Sequence, residues 1–85
     1  MKALQEQVAE IVTRDDLVVF IERLRSDLES NSAQWENPTL GAFLAALGSW
    51  IEDMHGYYLN HGREPPTTPS WRTVAEMLAA ARVYE

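Results

Sequence analysis

The sequence predicts an all-α fold, a small antiparallel bundle of three to four helices, and three observations lead there. Apolar residues recur at spacings of three and four in successive segments, the pattern of one helix face. Threonine or serine precedes three of these segments, and proline or Ser/Asn clusters separate them. The connections are short, so consecutive helices are expected to lie antiparallel. Residues 1–85 read as one domain with helices at about 3–12, 14–30, 40–60 and 71–84.

The first helix rests on Leu4, Val8, Ile11 and Val12. Thr13 then reads as a cap, with the carboxylates of Asp15 and Asp16 near the positive end of the next helix dipole. In that second helix Leu17, Phe20, Ile21, Leu24 and Leu28 share a stripe, opposite Arg14, Glu22, Arg25 and Glu29. Ser30, Asn31 and Ser32 compete for backbone hydrogen bonds, and Pro38 disfavours helix at Asn37. Thr39 caps the third helix, whose apolar positions Leu40, Phe43, Leu44, Leu47, Trp50, Ile51, Met54, Tyr57 and Tyr58 keep phase through Gly56. Gly62 is the natural stop. As the longest and most apolar element, this helix is expected at the centre of the bundle. Pro65, Pro66 and Pro69 stiffen the next connection, and Ser70 caps a last helix carrying Val74, Met77, Leu78, Ala81 and Tyr84. Ala79, Ala80 and Ala81 are small enough to admit a close neighbour.

Composition narrows the function. The chain is 46% hydrophobic and 24% charged, which suits a folded domain. With no cysteine it has no disulfide framework and no thiolate chemistry, as expected of a protein in a reducing cytoplasm. No apolar run approaches the roughly 20 residues needed to cross a bilayer, and the polar start offers no signal core. Seven basic against thirteen acidic side chains give a net charge of −6, which disfavours nucleic acid and anionic lipid as partners.

No motif points to catalysis, so no catalytic, cofactor-binding or metal-ligating residue is assigned. Glu52 and His55 have the Glu-x-x-His spacing of di-iron bundles, but Tyr58, not an acid, precedes His61 by three. The acidic pairs Glu6 with Glu10, Asp15 with Asp16 and Glu52 with Asp53 lack the clustered spacing that holds magnesium in small all-helical pyrophosphatases. Gly41, Gly48, Gly56 and Gly62 form no phosphate loop. Gly41 and Gly48, one heptad apart, either admit a close neighbour or are tolerated surface positions. Six of the eight aromatic residues fall between Trp35 and Trp71. Trp35, Glu36 and Asn37 before the third helix, Tyr57, Tyr58 and Asn60 at its end, and Trp71 after the proline turn therefore make a candidate interaction surface; the alternative is that they plug the bundle ends.

The string Trp35-Glu36-Asn37-Pro38-Thr39-Leu40, then Asp53-Met54, Gly56-Tyr57-Tyr58 and Asn60, then Pro69-Ser70-Trp71, resembles a family of short bacterial proteins of unknown function. The resemblance runs from about Leu17 to the end. It implies a bacterial cytoplasmic protein and assigns no activity; His55 stands where an acid is usual in that family. The expectation is a non-enzymatic protein–protein interaction module, for example a toxin-neutralising or regulatory partner. The alternatives are a homodimeric structural protein, or a metal-assisted hydrolase using Glu52, Asp53 and His55 with acids of the first two helices.

Overall fold

Thr13, Thr39 and Ser70 each accept a hydrogen bond from the amide three residues on, and a helix starts after each. In the computed structural model, which describes residues 3–85 and leaves Met1 and Lys2 outside, the order is α1 (Leu4–Ala9), α2 (Arg14–Asn31), a single 3-10 turn (Ser32–Gln34), α3 (Leu40–Asn60) and α4 (Trp71–Ala81). Among the described residues there is no strand. The fold is the small all-α bundle that the periodicity predicts.

α1 ends three residues short of the predicted Val12, and the reason lies at the start of α2. The Asp16 carboxylate accepts from the amides of Val12 (2.9 Å) and Thr13 (3.0 Å), while the Thr13 hydroxyl accepts from the Asp16 amide. This reciprocal cap fixes Thr13 in extended geometry, so α1 cannot run on into it. Thr13→Ala is expected to lower stability by about 1 kcal/mol in urea unfolding. The amides of Thr13 and Val12, in that order, hold the Asp16 carboxyl below its ordinary value. A carboxyl lowered in the folded chain stabilises above the unfolded value, and that contribution is lost as pH falls through the folded one. The stability gap between the natural chain and Asp16→Ala should therefore close on acidification.

α3 runs unbroken through Gly56. It stops at Gly62, whose φ of 68° suits a residue without Cβ. The Arg63 amide bonds back to the Tyr58 carbonyl (2.8 Å) and the Gly62 amide to the Leu59 carbonyl (3.1 Å), the paired closure of a Schellman motif.

The centre of the bundle is α4, not α3, which corrects the expectation from length and apolarity. α4 packs against α1, α2 and α3, whereas among the helices α3 lies close only to α4. The physical reason is side-chain size. Thr73, Ala75, Ala79 and Ala81 are the buried residues of α4, and small side chains let three neighbours reach one helix. On one side α4 meets Val8, Ile11, Leu17, Phe20, Leu24 and Trp35; on the other, Trp50, Met54 and Tyr58 pack with Met77, Ala80 and Tyr84. In α2 the buried row is Leu17, Phe20 and Leu24, and Ile21, predicted on the same stripe, is 44% exposed.

The buried residues of α3 are Ala46, Trp50, Met54 and Tyr58, each four after the last. A row at that spacing is inclined to the helix axis by about 26° and drifts around the helix as it advances. Contact with α4 thus follows one row and leaves the other half of α3's apolar surface uncovered, with Leu40 75%, Leu44 54% and Ile51 45% exposed.

Candidate functional site

The structure divides the sequence-selected residues between the two ends of the α3–α4 pair. At one end Trp35 is buried with its ring 6.0 Å from that of Phe43, and its indole N–H donates to Asp27 Oδ2 at 2.7 Å. Arg82 approaches the same carboxylate oxygen at 3.7 Å. Asn37 closes the end of α4: its side-chain amide donates to the carbonyls of Ala81 (3.0 Å) and Tyr84 (2.8 Å), and its backbone N–H donates to that of Arg82 (3.1 Å). These bonds satisfy carbonyls that a helix end leaves without partners, and they mark where α4 stops, three residues before the predicted Tyr84. Glu36, between the two, is exposed.

At the other end Tyr58 is buried, and its hydroxyl donates to Glu76 Oε2. Arg63 donates to Glu76 Oε1 at 3.3 Å and lies over the Tyr58 ring at 4.5 Å. Burial first, and then the Glu76 carboxylate, push the Tyr58 hydroxyl up to about 12, so it remains a donor. Tyr57 is partly exposed, with its ring 4.8 Å from Trp50 and 4.2 Å from His61. Asn60 and Trp71 are exposed. Trp35, Asn37 and Tyr58 thus carry bonds within the chain, and Glu36, Tyr57, Asn60 and Trp71 present surface.

Tertiary packing adds residues that the candidate surface did not include. Tyr84 folds back from the chain end so that its ring lies 5.2 Å from Trp50 and its hydroxyl donates to Asp53, which raises the tyrosine's pKa above the ordinary value. Between α1 and α3, floored by α4, lies a groove of about 450 Å³ lined by Val8, Trp50, Tyr57, Arg72, Glu76 and Ala80. Its charged groups already have partners: Arg72 Nε donates to the Ile11 carbonyl at 3.2 Å, and Glu76 accepts from Tyr58 and Arg63. No spacing in the sequence announces these pairs, since 18 residues separate Tyr58 from Glu76 and 31 separate Asp53 from Tyr84.

The outward side of α3 is of a different kind. Leu40, Leu44, Leu47 and Ile51 are spaced by four, three and four, the seam spacing of two helices packed together. Leu47 is half-buried and the other three are exposed. Gly41, Ala45 and Gly48 follow alongside and are exposed too, so the N-terminal half of this face carries no charge. A Cβ built at Gly41 or Gly48 would meet nothing within 4 Å, so no neighbour within the chain requires either glycine. Glu52 and His55 are exposed farther along the helix. Among the described residues no three His, Cys, Asp or Glu side chains converge as metal ligands would, and no helix is long and apolar enough to cross a membrane.

Neither a curated protein nor a solved structure matches this chain. A family model does match, over residues 13–85, from the threonine that caps α2 through α3 and α4 to the last residue, with α1 ahead of the matched span. The chain belongs to that family, DUF7660, a family of unknown function.

Proposed function

We propose that this protein is a non-enzymatic protein–protein interaction module, of the kind that serves as a regulatory or toxin-neutralising partner, and that the outward face of α3 is a protein-docking surface. One observation carries the reading: Leu40, Leu44 and Ile51 lie exposed in one apolar row on the longest helix. Exposed apolar residues scattered singly are ordinary, but a continuous row is a surface that association would cover. Its spacing is that of a helix that receives another helix. A bacterial cytoplasm is the setting we infer, supported by the cysteine-free composition and by the Trp-Glu-Asn-Pro pattern.

A photo-activated benzophenone amino acid at position 44 or 51, irradiated in living cells, tests this. The expected outcome is one discrete protein adduct from each position and none from position 29, where Glu29 is exposed on α2. No adduct from positions 44 and 51, or the same adducts from position 29, would overturn the reading.

A further inference from the structure

Building on the reading of α3 as a docking face, we propose that its occupant is a second copy of this chain, the two α3 helices packing face to face about a two-fold axis.

Surface area supports this first. A folded monomer of 9.7 kDa is expected to expose about 5,100 Å². This chain exposes 5845 Å², about 700 Å² more, close to the roughly 800 Å² that each partner contributes to a standard interface. The radius of gyration agrees: it is 12.7 Å, against about 11.9 Å for a compact chain of this length. One helix face buried against its own copy would account for the surplus on both molecules.

Charge supports it second. Each molecule carries −6, so two copies repel through most of their surfaces. The row from Leu40 to Gly48 has no ionisable side chain, which makes it the part of α3 where a second copy approaches without setting like charges against each other. Symmetry supports it third, because a two-fold contact needs a patch that complements itself. Leucines spaced by four and three on one helix interlock with the same spacing on another, and Gly48 beside them leaves room for the second backbone.

Sedimentation equilibrium over about 5 to 200 µM tests the proposal, with a mass of twice 9.7 kDa expected to dominate at the upper end. Leu44→Glu should weaken association about 30-fold or more, while Val19→Glu, at an exposed apolar position on α2, should leave it unchanged. Because Leu44 is exposed in the single chain, helical circular dichroism should be retained. If Leu44→Glu does not fold, Gly48→Cys gives a second readout: the chain has no other cysteine, and a two-fold contact near Gly48 yields a disulfide-linked dimer under mild oxidation. A mass that stays at 9.7 kDa throughout, or equal weakening by Leu44→Glu and Val19→Glu, would overturn the second copy as occupant. The photo-adducts separate the two levels. An adduct with the mass of two chains supports both, an adduct to a different protein keeps the docking face and overturns the self-pairing, and no adduct overturns the docking face itself.

Discussion

Phe20→Ala is expected to destabilise the protein by about 4 kcal/mol, while Ile21→Ala, one residue on, changes stability by about 0.5 kcal/mol or less. Both side chains lie on the apolar stripe of α2 as the sequence draws it. In the bundle Phe20 is 2% exposed in the cluster that includes Leu17, Leu24 and Ala75, whereas Ile21 is 44% exposed. Truncating Phe20 removes buried apolar area and leaves a cavity lined by helices that cannot fully collapse, because α4 is already packed through alanines. An 85-residue domain has roughly 4 to 13 kcal/mol of stability in total, so Phe20→Ala should fall near the unfolding threshold. Urea unfolding of the two variants with a common slope is the measurement. Equal midpoints would show that α2 packs by a different face.

Asn37→Ala carries the second large effect, about 2 kcal/mol. It strands the carbonyls of Ala81 and Tyr84 at the end of α4 and loosens the tie between the α2–α3 connection and the chain end. Asn37→Asp is the sharper test. It keeps the size of the side chain, loses both N–H donors and sets a carboxylate against the negative end of a helix, so its loss should equal or exceed that of alanine. Glu36→Ala, at the exposed neighbour, should stay within about 0.5 kcal/mol. Hydrogen exchange in the last turn of α4 reports the same event locally. If that turn is protected equally in the natural chain and in Asn37→Asp, the side chain is not the closure we describe.

These variants mark how much could be read in advance. Thr13, Thr39, Ser70 and Gly62 announced their roles because caps and stops depend on a few neighbouring residues and on backbone geometry. The Asn-Pro dipeptide announced a break in the helix, but not that Asn37 reaches across the sequence to hold α4. The tyrosine–carboxylate pairs Tyr58 with Glu76 and Tyr84 with Asp53 were illegible for the same reason: each joins residues that only packing brings together.

The sequence by itself determined that the chain is helical, where α2, α3 and α4 begin, and that α3 is the longest and most apolar element. Which surface stays bare was decided by the tertiary structure. A helical wheel projects all 21 residues of α3 onto one circle, as if its neighbour ran parallel to the axis. The small residues of α4 draw that short helix into the centre, and its contact follows Ala46, Trp50, Met54 and Tyr58 obliquely along α3. Leu40, at the same angle on the wheel as Tyr58, is left in the open because the oblique contact row turns to that side of α3 only at Tyr58, near the other end of the helix.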